Sequence, residues 1–238
     1  MQTVRTPAVA GLFYPADAAE LQTQVRGFLD QVEPPVEPPP KAIIVPHAGY
    51  IYSGPIAASA YARLRAARDT IHRVVLLGPS HRVGFRGIAV SGMEAFATPL
   101  GRIAVDREAV EQLEQLPDVG FLEQAHAQEH SLEVHLPFLQ EVLGHFKLVP
   151  LVVGEARPTE VGAVLQALWG GPETLIVISS DLSHYHDYAT ARLLDDTTSK
   201  AIEALRFEDI GYEQACGRNP VNGLLWVARR KGLHGETI

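Results

Sequence analysis

A single cysteine, Cys216, is the only thiol among 238 residues. That scarcity excludes an intramolecular disulfide framework and fits a reducing compartment, with the cytoplasm as the expected location. Positive charge is also short: 20 Lys and Arg stand against 28 Asp and Glu, for a formal charge of -8. A phosphate backbone is a poor partner for such a chain, so nucleic acid is not expected. No apolar run is long enough to cross a bilayer, and Met1 to Pro15 lacks the basic and then apolar regions of a leader, so no membrane or targeting segment is expected. There is no Walker loop, no dinucleotide glycine fingerprint and no serine nucleophile elbow, which leaves phosphate cradling and triad hydrolysis without support.

What is present is a repeated ending. Ala42 to Val45 reads as a short buried strand that Pro46 stops, leaving His47 at its carboxyl end. Arg73 to Leu77 runs into Gly78-Pro79-Ser80-His81, and Thr174 to Ile178 runs into Ser179-Ser180-Asp181-Leu182-Ser183-His184. In an open α/β sheet the crevice outside the carboxyl ends of the strands is where ligands bind, so three strands delivering three histidines there predict one shared site.

Along the chain, Asp17 is placed to cap a helix from Ala18 to about Val32, and Glu33 to Pro40, with five prolines in eight residues, reads as a stiff surface connection. Ser53-Gly54-Pro55 predicts a helix from Ile56 to about Ala67. Gly87 to Val90 and Arg102 to Val105 read as strands around a turn at Thr98 to Gly101, and Asp106 as a helix cap. Gln124 to Leu136 is polar and histidine-rich, followed by a helix at Pro137 and Phe138 to Gly144. Lys147 to Val153 is a strand, and helices are expected from Pro158 to about Trp169, Ala189 to Leu205, Phe207 to Ala215, and Asn219-Pro220 to Gly232. The alternation predicts an α/β fold, a single domain over residues 1–238 with a central, mostly parallel or mixed sheet flanked by helices.

Among the ten histidines, His72, His145 and His234 lie in polar or terminal contexts and read as solvent-facing. Glu129-His130-Ser131-Leu132-Glu133-Val134-His135 has its histidines five apart, which fails the i, i+4 spacing of a helical zinc-protease motif. Its glutamates and His130 are candidates to line the crevice from the side, His126 and His135 less so. Asp181 is either a carboxylate ligand, a partner that fixes an imidazole, or the cap of its own turn. Cys216 is either an inert small hydrophobe or a thiolate ligand beside two histidines.

Taken in order, Gly11-Leu12-Phe13-Tyr14-Pro15, Pro46-His47-Ala48-Gly49-Tyr50 with Tyr52-Ser53-Gly54, Gly78-Pro79-Ser80-His81, Glu129-His130-Ser131-Leu132-Glu133 with Leu136-Pro137-Phe138, Ser179 to His184 and Cys216-Gly217 resemble the Memo family (mediator of ErbB2-driven cell motility), whose prokaryotic members are called AmmeMemoRadiSam system protein B. The resemblance implies an α/β fold shared with class III extradiol dioxygenases of the LigB type. Position by position it implies His47, His81 and Cys216 as metal ligands, the thiol standing where those dioxygenases have a glutamate. His184 is implied as the pocket acid/base, with Asp181 and His130 as further pocket residues. A divalent or redox metal follows as the expected cofactor, Fe(II) favoured, with Cu or Zn made more competitive by the softer thiolate. The resemblance also implies functional association with AMMECR-domain and radical-SAM proteins. Family members continue through another strand pair, whereas this chain stops at Gly235 to Ile238; a chain shortened there would leave a sheet edge uncovered.

Three functions are therefore weighed. The first is a metal-dependent oxidoreductase acting on a small molecule, an aromatic or phenolic compound among the candidates. The second is a binding module for a peptide or small anion, using Tyr50, Tyr52 and Tyr185 around the crevice without turnover. The third and weaker is zinc hydrolysis.

Overall fold

Near-continuous apolar runs give strands buried on both faces, and the centre of this molecule is built from them. The structure, a computed structural model, describes residues 3–33 and 37–238, so residues 34–36 of the proline-rich connection lie outside it. The nine strands among the described residues are β1 (Val4–Arg5), β2 (Ala42–Val45), β3 (Arg73–Pro79), β4 (Ile88–Val90), β5 (Ala95–Thr98), β6 (Gly101–Ala104), β7 (Val119–Phe121), β8 (Lys147–Val153) and β9 (Thr174–Ser179). Six of them form the main sheet in the order β2-β9-β3-β8-β4-β7. Its first four are mutually parallel, β4 runs antiparallel to β8, and β7 lies parallel to β4. The mixed sheet agrees with expectation. A proline within β8, Pro150, is accommodated because β4 pairs only with Leu151 to Val153, so Pro150 stands just before that ladder begins.

One correction concerns the segment after β3. The two strands read there from the sequence belong to different sheets: β4 joins the main sheet, while β6 pairs with β5 and β5 with β1 in a separate three-stranded sheet. Ala-Phe-Ala-Thr carries one large apolar side chain, Phe96, too weak a pattern to announce a strand.

The helices are α1 (Ala18–Leu29), α2 (Tyr50–Ala62), α3 (Arg107–Leu113), α4 (Glu123–Ala127), α5 (Leu136–Leu143), α6 (Pro158–Ala167), α7 (Tyr188–Glu203) and α8 (Arg218–Lys231). Asp17 and Asp106 cap α1 and α3 as expected, accepting the N–H groups of Glu20 and Ala109. Helix α2 starts six residues earlier than predicted, with Pro55 inside it, because its first turn is anchored from outside: the Tyr50 N–H donates to Phe13 O at 2.8 Å, and the buried Tyr50 hydroxyl donates to Val134 O at 2.7 Å. Phe207 to Ala215 holds only one 3-10 turn, Phe207–Asp209. Leu205 at φ 54 breaks the preceding helix, and Gln214 Oε1 accepts the Gly211 N–H in competition with helical bonding. Gly232, at φ 64, ends α8 as expected. Helices α1, α2 and α5 pack together, and α6 packs on α8 so closely that a Cβ at Gly223 would lie 2.2 Å from Val161. No helix among the described residues is long and apolar enough to cross a membrane.

The chain's start is fastened to the histidine-rich segment by one carboxylate. Glu133, fully buried, pairs with buried Arg5 and accepts the N–H groups of Ala8 at 2.8 Å and Val9 at 3.0 Å and the Tyr14 hydroxyl at 2.6 Å. Burial and the adjacent Glu133 push the Tyr14 hydroxyl far above its ordinary range, so it stays a donor. Removing one partner of a buried charge pair leaves the other without compensation. Glu133→Ala is therefore expected to lower the unfolding free energy by about 3–5 kcal/mol, read from the denaturant midpoint.

Candidate metal centre

Strands β2, β9 and β3 are neighbours in that order and point the same way, so their carboxyl ends open on one edge of the sheet. His47 follows β2, Asp181 and His184 follow β9, and His81 follows β3. The segment before α5 crosses beneath this edge and brings His130. The turn before α8 brings Cys216, its N–H donating to Asp181 O.

The rings converge. His47 and His81 centroids are 5.1 Å apart, His47 and His130 5.5 Å, and His81 and His130 stack at 4.6 Å. Cys216 Sγ lies 3.3 Å from His47 Nε2 and 3.7 Å from Asp181 O. Two sets have their ligand atoms within 4.8 Å of one another: His47, His81 and His130, and, sharing His47, the set His47, Asp181 and Cys216. Neither set holds the expected trio His47, His81 and Cys216 as a whole: His81 falls in the first with His130, and Cys216 in the second with Asp181. His184 belongs to neither set: its side chain is more than a third exposed, at the rim, with Nε2 3.5 Å from Asp181 Oδ2.

Asp181, which follows β9, holds the turn after β2. Its Oδ1 accepts the N–H groups of His47 at 2.6 Å and Ala48 at 3.2 Å, while Oδ2 stands 3.8 Å from His47 Nε2. The carboxylate therefore caps the turn after β2 and not its own, while its second oxygen faces the His47 ring.

Electrostatics separate the rings. Burial, then the neighbouring His81 and His130, hold His47 well below the usual imidazole range, and burial lowers His130. Those two are neutral, the state that ligates a metal. Burial would lower His81 too, but its hydrogen bonds to Cys216 and to Glu129 outweigh that and raise it to about 9. Glu129, though burial opposes it, is held down to about 2 by His81 and by backbone N–H groups.

The donor set fits a borderline or soft divalent ion: imidazoles, a thiol and a carboxylate in one cluster, with His130 Nδ1 buried, 3.4 Å from Glu129 Oε1 and without a hydrogen-bond partner.

Residues singled out earlier fall as follows. His72, His145 and His234 are exposed, as read. Glu133 does not line the crevice; it ties down the chain's start. His126 and His135 are buried and belong to neither set, His126 Nε2 donating to Ala89 O and His135 Nδ1 bonded to the Tyr61 hydroxyl. Tyr50 is buried and committed to Val134, whereas Tyr52 and Tyr185 are exposed, which removes one of three tyrosines from the peptide-binding reading. Sequence reasoning missed Ser131 and Ser179; their signal was slight, small polar residues at a strand end and beside His130.

Burial holds His126 near 4 and His135 near 3, against about 6.5 in an unfolded chain. Between those values the unfolded state binds more protons, so stability is full above about pH 6.5 and falls as pH drops towards 3. His126 is expected to contribute roughly 3 kcal/mol of that loss and His135 roughly 5 kcal/mol. Denaturant midpoints measured across this range should fall, and fall less steeply in His126→Gln, whose amide can still donate to Ala89.

Comparison with known proteins adds an independent finding. A family model described as Memo-like protein matches residues 5–237. A MEMO1 family protein of Aquifex aeolicus is 41% identical, covering 88% of this chain and 78% of that protein. Another of Sulfolobus acidocaldarius is 34% identical over 96% of this chain and 89% of its own length, and one of Thermotoga neapolitana 38% over 84% and 77%.

Proposed function

As this chain belongs to the Memo-like protein family, we propose that it is a metal-dependent oxidoreductase whose ion is held by His47, His81 and Cys216 at the sheet edge. The observation that carries this reading is the meeting of Cys216 Sγ with His47 Nε2 at 3.3 Å beside two further imidazoles, from four separate parts of the chain. An ion held there, Fe(II) in first place and Cu or Zn otherwise, supplies Lewis acidity and, if it is iron or copper, electron transfer with dioxygen.

The chain's own residues then divide the remaining work. His130, stacked on His81 and 4.8 Å from the Phe13 ring, forms a flat wall against which an aromatic or phenolic molecule can lie. His184 and Asp181, 3.5 Å apart at the rim, hold and pass a proton between solvent and a bound hydroxyl. The buried floor keeps water from the far side of the rings, because His47 is almost completely enclosed. A thiolate among the ligands favours softer ions than a carboxylate does, so the zinc reading differs from this one by the ion and not by the residues.

Protein purified without oxygen is expected to carry near-stoichiometric iron by elemental analysis, and His47→Ala and Cys216→Ser to lose most of it. Full metal retained in both variants would sink the ligand assignment. His184→Ala is expected to keep its metal while dioxygen uptake with phenolic compounds drops by about 10²-fold or more, the usual share of an acid/base group.

A further inference from the structure

Two ligand rings reach the centre from different strands, and each has one nitrogen facing the cluster and one facing the protein. The protein-facing nitrogens are not bonded independently. His81 Nδ1 lies 2.8 Å from Glu129 Oε1, the same oxygen that accepts the N–H groups of His130 at 3.0 Å and Ser131 at 2.9 Å, while Oε2 accepts the His81 N–H at 2.6 Å. An oxygen already receiving two backbone protons can only accept from the ring, so His81 carries a proton on Nδ1. His47 Nδ1 lies 2.6 Å from Ser179 Oγ, and that hydroxyl donates its one proton to Ser131 O at 2.6 Å. Towards His47 the hydroxyl can therefore only accept, and this ring too carries its proton on Nδ1.

Both paths end on residues 129–131. That segment is itself pinned to β3, where the Ser131 hydroxyl donates to Pro79 O at 2.8 Å and a Cβ at Gly78 would come within 2.7 Å of Ser131 Oγ. The run from His81 through Glu129, Ser131 and Ser179 to His47 is one continuous hydrogen-bonded brace.

From this geometry we infer that Glu129 and Ser179 are positioning residues of the centre: acting through a common segment, they fix both His47 and His81 in the Nδ1–H tautomer, so that both Nε2 lone pairs face the same point. The inference deepens the metal reading above and rests on it. Partners of this kind typically alter metal affinity by about 10–100-fold when removed.

The test uses the full chain, with Co(II) as the probe, titrated without oxygen and followed by its visible absorption. Glu129→Gln and Ser179→Ala are expected to bind Co(II) about 10–100-fold more weakly than the wild type, and Ser179→Thr, which keeps the hydroxyl, to bind as the wild type does. Loss of packing alone would weaken binding without moving ring protons, so the second readout is nitrogen-15 NMR of labelled histidines in the Zn(II)-loaded protein. There His47 and His81 should show protonated Nδ1 and metal-bound Nε2, and the His47 pattern should change in Ser179→Ala. Metal on Nδ1 of either ring, or folded Glu129→Gln and Ser179→Ala binding Co(II) as tightly as the wild type, would overturn the inference. Should the wild type take up neither ion, the metal reading fails by itself. The His47 ring in metal-free protein then decides the tautomer: a proton on Nδ1 upholds the brace, and one on Nε2 alone refutes it.

Discussion

Polar groups taken out of water must find partners inside, and that rule governs the segment that runs beneath the sheet edge. Glu129, Ser131, Glu133 and His135 are all buried, in a stretch that also approaches the three strand ends. Each carboxylate on it is satisfied by several donors, and an unsatisfied one would cost more than any single apolar contact there returns. Glu133 turns inward to the chain's start, gathering Arg5, two backbone N–H groups and Tyr14. Glu129, four residues earlier, turns the other way and gathers His81 with its own following backbone. One polar segment thus locks residues 5–14 to the fold and supports the histidine cluster.

The parallel strands supply the complementary constraint. Because β2, β9 and β3 are adjacent and co-directional, their carboxyl ends place His47, Asp181 and His81 on one rim without any loop having to reach. Side chains set on a rigid edge keep their mutual spacing. The small residues at these ends serve the same purpose: a Cβ at Gly217 would lie 2.5 Å from Ser179 O, so glycine there lets the turn carrying Cys216 come down onto β9.

Charge within the cluster is arranged unevenly. His47 and His130 are neutral through burial, whereas His81, bonded to Cys216 and Glu129, is drawn towards the charged form. The rim is different in kind: His184 is exposed and paired loosely with Asp181, as suits a group that exchanges with solvent.

Strands β2, β3, β8 and β9, their parallel alternation with helices and the three histidine-bearing strand ends were legible in the sequence, because apolar runs closed by proline or serine state where a buried strand stops; the three-residue β7 carried no such run. The caps at Asp17 and Asp106 and the stop at Gly232 were legible for the same local reason, a side chain or φ that only one position accommodates. The early start of α2, the second sheet and the fate of the histidine-rich stretch were not, since each depends on a partner far along the chain: Phe13 for Tyr50, Val4 and Arg5 for β5, Arg5 and Tyr14 for Glu133. Residue types and spacing determined that imidazoles and one thiol were available at the ends of elements. Which nitrogen of each ring faces inward, and that His130 and Asp181 stand beside the expected ligands, only the tertiary structure decided, because hydrogen-bond direction is set by the groups packed behind a side chain and leaves no mark in the linear order.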